Sequence, residues 1–390
     1  MKRDTTNDTP APKRRSFPKA FLLSLPMMLL TFAMLTGGKP ISGSSQIVAF
    51  LLTYCFLNLF FFLMIYTGKT DRWRAPVFSA YSVAFVISFV THLLEARGSM
   101  ALSEANILRA QAPFCHMVIP MTLIPGALTK TIIFPGTIVG SFASISSMFI
   151  LWIGASLSLG RGFCGWTCFF GGLEDGFSRL IKRPIIKRIN PVFTYLPWAL
   201  LLFIVLTSAA ALSPVYCTWL CPFKAVTEYV QVISVKTLVQ MVIFVTLFAG
   251  LVVTLPILTK KRIQCGLFCP FGAFQSLTNK VTGFAIRIDP DKCVKCGRCV
   301  RSCPTFSLDD ESVASGGSRI SCMKCGRCVD LCPKGAIHYH VKGTEPRSSG
   351  TLQRLLFLYP AFLFLATMGG GFFKDAIVRI IKLAATGHMI

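Results

Sequence analysis

Long apolar runs, separated by short basic or glycine-rich breaks, organise most of this chain. A helix needs about 20 mostly apolar residues to cross the hydrocarbon core of a bilayer. Runs of that order fall near 20–36, 46–67, 76–94, 132–159, 193–212, 238–258 and 352–370. Pro26 interrupts the first. Residues 113–128 are apolar too, but the stretch is short and carries Pro113, Pro120 and Pro125. It reads as a re-entrant or interfacial segment, which is tolerated at membrane depth only where protein covers its backbone. Over 285–345 the pattern turns polar. The expected architecture is an all-α polytopic membrane protein of about seven spans with a small α+β insert. Its parts are a basic N-terminus over 1–19, a membrane domain over 20–284, the insert over 285–345, and a final membrane helix and tail over 346–390.

Composition agrees. The chain has 390 residues, 53% of them hydrophobic and only 14% charged. Its formal net charge of +24 raises the question of nucleic acid. The distribution excludes that reading, because Lys and Arg sit in short blocks beside apolar runs, as in cytoplasmic loops of membrane proteins. Lys13, Arg14, Arg15 and Lys19 precede the first run. Lys69, Arg72 and Arg74 follow the second, Lys182, Arg183, Lys187 and Arg188 the fourth, and Lys260, Lys261 and Arg262 the sixth. If every run crosses, these blocks and the insert share one side, which the positive-inside rule makes cytoplasmic. The last run would then export a basic tail (Lys374, Arg379, Lys382), against the rule, unless 352–370 does not cross. RRSFPK at 14–19 resembles a twin-arginine signal. No convincing small-residue cleavage site follows, so an ordinary basic flank fits better.

The insert holds the most specific chemistry. Cys293, Cys296, Cys299 and Cys303 are spaced C-x2-C-x2-C-x3-C with Pro304 following, and Cys322, Cys325, Cys328 and Cys332 repeat the string before Pro333. KCGRCV occurs in both. This is the bacterial two-cluster ferredoxin run, in which the fourth cysteine ligates the other cluster. It assigns one 4Fe–4S cluster to Cys293, Cys296, Cys299 and Cys332, and a second to Cys322, Cys325, Cys328 and Cys303. Structural zinc is the competing use, but zinc ribbons employ separated C-x2-C pairs rather than overlapping triples that end in Cys-Pro. The insert is therefore expected to be a βαββαβ-like dicluster ferredoxin domain facing a reducing compartment.

Three C-x3-C pairs lie in the membrane part: Cys164/Cys168, Cys217/Cys221 and Cys265/Cys269. Arg161-x-x-Cys164-Gly165-x-x-Cys168-x-Phe170-Gly171 recurs as Arg262-x-x-Cys265-Gly266-x-x-Cys269-x-Phe271-Gly272, at an offset of 101. Each copy follows a run and sits at its cytoplasmic end. Together the two pairs supply four thiolates, the complement of one iron–sulfur cluster. The two arginines would offset its anionic charge. Buried cysteines packing as small hydrophobes, or a catalytic dithiol, are the other uses. Cys217 and Cys221 fall on the opposite face in this reading, as does Cys115 beside His116. Three thiols and an imidazole there could ligate iron or zinc. Redox centres on both faces would allow electrons to cross. Cys55 reads as a packing residue, His92 as a core or interface histidine, and His338 and His340 as surface. Glu174 and Asp175 read either as a proton relay or as capping groups.

The string Phe163-Cys164-Gly165-Trp166-Thr167-Cys168, the string Cys265-Gly266-Leu267-Phe268-Cys269-Pro270-Phe271-Gly272-Ala273-Phe274, and the dicluster run after them resemble the membrane polyferredoxins of the NapH/NosR/CcoG type. The likeness covers roughly 130–340. Two departures stand out: Phe169 replaces a proline after Cys168, and a third pair, Cys217/Cys221, lies between the usual two. The resemblance implies a multi-pass protein of the bacterial inner membrane. It implies electron transfer between the quinone pool and redox partners, either other membrane subunits or soluble carriers. A reductase or sensor that matures a respiratory metalloenzyme is a second class. A redox-driven ion transporter is a third, although few acidic or polar residues interrupt the runs.

Overall fold

A computed structural model describes residues 15–37, 41–95, 116–130, 145–187, 189–227, 232, 234–344 and 350–387. In chain order the helices of the first half are α1 (Phe17–Thr36), α2 (Ser44–Thr67), α3 (Thr70–Glu95), α4 (Ile119–Thr129), α5 (Ile145–Leu159), α6 (Gly162–Trp166), α7 (Phe169–Phe177), α8 (Leu196–Ala211), α9 (Val235–Thr259) and α10 (Pro270–Leu277). Then come β1 (Phe284–Ile288), α11 (Arg298–Ser302), α12 (Asp310–Ala314), α13 (Arg327–Leu331), β2 (Ile337–Val341) and α14 (Gly350–Thr386).

Among the described residues, five helices are long and apolar enough to cross a membrane: α1, α2, α8 with its leading turn (Pro191–Ala211), α9 and α14. Seven runs were expected. The run at 76–94 lies within α3, whose side chains are described as far as Ser88. The run at 132–159 contributes the 15-residue α5, while 131–144 lie outside the described residues. So do Lys13, Arg14, Arg188 and Cys115, and the side chain of His92. The proline-rich stretch forms a turn at His116–Val118 followed by α4, whose residues Ile119–Thr122 are buried. A short helix covered by protein is what its prolines and length called for.

Helices satisfy most of their own backbone groups, the requirement for crossing lipid, and α1 and α14 tolerate an interior proline each, Pro26 and Pro360. α1 opens on Pro18 and ends at Gly37, which takes the left-handed φ of 58° that closes a helix. Asn58 of α2 donates to Thr31 of α1 at 3.0 Å in the buried interface, an interhelical polar contact of the kind that ties apolar helices together. α14, 37 residues long, spans about 55 Å at 1.5 Å per residue. It runs parallel to α1: Tyr359 donates to the Leu23 carbonyl near one end, and Lys374 to the Leu35 carbonyl at the other.

The 285–345 domain sits against the ends of α2, α3 and α9. β1 and β2 pair antiparallel, with Ile286 opposite Tyr339. The expected inner strand pair is reduced, among the described residues, to a single backbone bond from Arg319 to the Ser307 carbonyl at 2.9 Å. The cysteine loops consume the residues that would extend it. Phe357 of α14 joins the layers. It stacks on Tyr339 at 4.7 Å, meets Phe284 at 5.4 Å and meets Trp166 of α6 edge-on at 5.9 Å. Asp330 of α13 accepts the Thr70 and Arg72 backbone N–H groups at 2.9 and 3.0 Å and so caps α3 from the neighbouring domain. The basic blocks at 69–74 and 260–262 lie on this same face, as Lys261 bonds the carbonyls of Arg301 and Cys303.

Candidate metal centres

The two cysteine strings of the 285–345 domain fold alike at an offset of 29. Lys295 and Lys324 adopt left-handed φ of 49° and 51°, and Gly297 and Gly326 follow at 68° and 85°. Non-glycine residues rarely take this conformation, so both lysines are held there by their loops. Alternation of right- and left-handed residues turns successive N–H groups into one concavity, a nest that suits anionic phosphate and iron–sulfur groups. The Cys-Pro turns match too: the Ser307 N–H points at Cys303 Sγ at 3.2 Å, and the Ala336 N–H at Cys332 Sγ at 3.3 Å. None of this backbone detail was foreseen in the spacing.

Cys293, Cys296, Cys299 and Cys332 line one cavity of about 330 Å³. The fourth cysteine of the second string thus joins the first three of the other. Cys296 is exposed, and the rest of this set are half-buried. The second set is deeper, with Cys303, Cys325 and Cys328 buried. Burial, and then the thiols of Cys322, Cys325 and Cys303, push the Cys328 thiol well above its ordinary value, which reflects four sulfurs gathered together. Among the described residues no three Cys, His, Asp or Glu side chains approach closely enough to hold a single metal ion. One tetrahedral zinc needs four sulfurs each about 2.3 Å from the metal. In a multi-iron cluster the thiolates attach to different irons, so four cysteines around one cavity fit it.

The repeat in the membrane part also comes together. Cys164, Cys168, Cys265 and Cys269 surround one small void with Met117 and Phe271. The two arginines cross over. Arg161 of the first copy donates to the Cys265 carbonyl at 2.8 Å, and Arg262 of the second to the Cys164 carbonyl at 3.0 Å. Arg262 also reaches Cys265 Sγ at 3.1 Å. Gly171 and Gly272 stand where these guanidiniums pass, and a Cβ at Gly171 would collide with Arg262. Cys168, Cys221 and Cys269 share one extended conformation, with φ between −72° and −80° and ψ between 108° and 113°. The void holds only about 10 Å³. The donor set therefore matches an iron–sulfur centre, while the side chains must part for one to be seated.

His116 and the middle pair are not where the sequence put them. His116 Nε2 lies 3.2 Å from Cys168 Sγ, so it joins the repeat cysteines rather than a separate group with Cys217 and Cys221. Cys221 packs in the same core as Cys164, Cys168 and Cys269, and Tyr216 accepts from Gln264 of the second copy at 3.1 Å. α8 ends at Ala211, and Leu212 caps it in the left-handed conformation, with φ 46°; beyond it Tyr216 and Cys221 pack into the core that holds the repeat cysteines. Tyr216–Leu220 and Gln264–Phe268 are both wound as π-helical turns, a local geometry frequent at functional sites.

Two families match. The one described as a 4Fe–4S dicluster domain covers 285–345, and the one described as a 4Fe–4S binding domain covers 141–188, 194–238 and 241–289.

The chain is a membrane 4Fe–4S protein.

The second match shows what the resemblance of two copies had understated. Cys217/Cys221 is the middle one of three related units, with Pro214 and Thr218 where the other copies have arginine and glycine. Among relatives, a protein of Escherichia coli K12, YccM, named provisionally as an electron transport protein, is 25% identical over 42% of this chain and 46% of its own length. Two uncharacterized proteins of Methanocaldococcus jannaschii, MJ0750 and MJ0749, are 29% and 27% identical over 42% and 37% of this chain and 67% and 52% of theirs. The chain thus spans about half the length of YccM and of MJ0749. No solved structure matches.

In this 4Fe–4S protein Glu174 and Asp175 are structural. Glu174 accepts the Gln264 and Cys265 N–H groups at 2.6 and 3.0 Å and so fixes the start of the third unit's cysteine turn. Burial raises its carboxyl to about 7, against the pull of Arg262 and those N–H groups. Asp175 and Asp71 form a buried quartet with Arg74 and Arg179, at 2.7 to 3.1 Å. Burial works against ionisation of Asp71, but Arg179 and Arg74 hold it below its usual value. Arg74 also donates to the Gly165 carbonyl at 2.6 Å and so ties the quartet to the first cysteine pair.

Proposed function

We propose that the chain carries single electrons between two 4Fe–4S clusters in its ferredoxin domain and cysteine sites inside its helical layer, and from there to quinone or a respiratory partner. The supporting observation is an unbroken series of cysteine sites. It starts at the exposed Cys296 set and passes to the buried set of Cys303, Cys322, Cys325 and Cys328. It continues to Cys164, Cys168, Cys265 and Cys269, and then to Cys217 and Cys221. The second and third sites touch without intervening space. Gly165 packs against the Met323 carbonyl, and Gly266 faces Thr305 and Phe306, so each repeat glycine admits one loop of the buried ferredoxin set. Iron–sulfur clusters held by thiolates supply one-electron chemistry whose potential follows charge, burial and hydrogen bonds to sulfur. The protein's part is to hold these groups close, dry and charge-compensated. Arg262, Arg161 and the N–H groups on Cys303 and Cys332 do the compensating, and Phe170, Phe223 and Phe271 exclude water.

The basic blocks gathered at the ferredoxin end favour a cytoplasmic face for that domain in a bacterial inner membrane. YccM's provisional name as an electron transport protein agrees with the proposed role. The experiment is to seal the anaerobically purified protein into vesicles with ferricyanide trapped inside and dithionite added outside. Trapped ferricyanide should be reduced faster than in protein-free vesicles, and Cys217→Ser/Cys221→Ser should abolish the gain. Equal rates in vesicles with and without protein would refute a route through the helical layer.

A further inference from the structure

Away from the cysteines, a cleft of about 800 Å³ opens where the helix ends meet the ferredoxin domain. Lys69, Arg72, Lys182, Lys260, Arg298 and Arg301 line it. The acidic groups among its walls are already engaged: Asp71 with Arg74 and Arg179, and Asp330 with the Thr70 and Arg72 N–H groups. Lys260 and Arg301 bond carbonyl oxygens, which leaves their charge uncompensated. We propose that this cleft binds the phosphate headgroup of an anionic phospholipid from the adjoining leaflet.

Three features argue for lipid rather than a soluble phosphate compound. The first is depth: Lys69 and Arg72 sit at the junction of α2 and α3, and Lys260 directly follows α9, so the cleft lies at the ends of apolar helices where headgroups reside. The second is the neighbouring segment. Leu180 and Ile185 lie two and three residues from Lys182 in the chain and are 66% and 69% exposed. Exposed apolar side chains beside a basic cleft match acyl chain beside phosphate and serve no purpose for a free anion. The third is sign: basic pockets between helices on the cytoplasmic side are the usual seats of anionic headgroups. A headgroup here would bridge α11 and α13, which carry Cys299 and Cys328, to the helix ends, and so help clamp the ferredoxin domain in place.

The test is native mass spectrometry of the full-length holoprotein in detergent, titrated with dioleoylphosphatidylglycerol or dioleoylphosphatidylcholine. The first phosphatidylglycerol should bind at least about tenfold more tightly, since each cation near an anionic surface contributes a factor of about five. Lys69→Gln/Lys182→Gln should erase that preference while its iron content stays at the wild-type value, and Lys260→Gln alone should weaken it. Equal binding of both lipids by the wild type, or a preference that survives these substitutions, overturns the proposal. Displacement by millimolar inorganic phosphate, with no dependence on acyl chains, would assign the cleft to a soluble anion and overturn the lipid source.

Discussion

Arg262 is the residue on which most of the membrane-face chemistry converges. It meets Cys265 Sγ, the Cys164 carbonyl and Met323 Sδ, and it is fully buried. Substituting Arg262→Gln removes one charge-assisted bond to sulfur. At 59 mV per tenfold change, the midpoint of the centre proposed at Cys164, Cys168, Cys265 and Cys269 should fall by on the order of 60 mV. Redox-poised EPR reads that shift, and an unchanged midpoint would remove Arg262 from the tuning role. Asp175 belongs to the frame instead. Asp175→Asn leaves Arg74 buried beside fewer charges, and loss of one partner from a buried pair costs about 3–5 kcal/mol. The arginines depress the carboxylates, so their stabilising effect is present at neutral pH and lost only as pH falls through and below about 4. The melting-temperature gap between wild type and Asp175→Asn should therefore be constant from pH 8 to pH 5 and narrow in stronger acid.

At the scale of elements, specific contacts fix how the ferredoxin domain docks. Asp330→Ala uncaps α3 and should cost about 1 kcal/mol, read as faster hydrogen exchange in α13 and the first turn of α3. Gly165→Ala is more severe, because its Cβ would lie 2.6 Å from the Met323 carbonyl. Such overpacking costs about 1–3 kcal/mol and should loosen the domain toward protease without unfolding the apolar helices. The elements also mark where sequence reasoning succeeded. Cysteine spacing and proline placement pointed to the gathering of Cys332 with Cys293, Cys296 and Cys299, because that pattern is local and chemically strict. The placement of Cys217/Cys221 and His116 beside the repeat cysteines rests on packing between distant segments, which hydropathy does not register. Capping was one of two readings of Glu174, but its partners, Gln264 and Cys265, lie about 90 residues away and no local pattern names them.

For the whole molecule, the apolar runs gave the helical layer, in which five of the described helices are long and apolar enough to cross a membrane. The two domains share one core through Trp166, Tyr339 and Phe357. Phe357→Ala, at a typical cost of about 3–5 kcal/mol, should thus lower a single unfolding transition rather than split it in two. That continuity is also what makes a route from surface to membrane plausible on physical grounds, because adjoining cysteine sites are fixed relative to one another. The decisive measurement is iron and acid-labile sulfide per chain in anaerobically purified protein, with EPR of the reduced form. Two ferredoxin cubanes alone give about eight irons. Ten or more, falling toward eight in Cys164→Ser or Cys265→Ser, is the expected result and places a further iron–sulfur centre among the membrane cysteines. Eight irons in the wild type, unchanged by those substitutions, would contradict it and end the electron path at the ferredoxin domain.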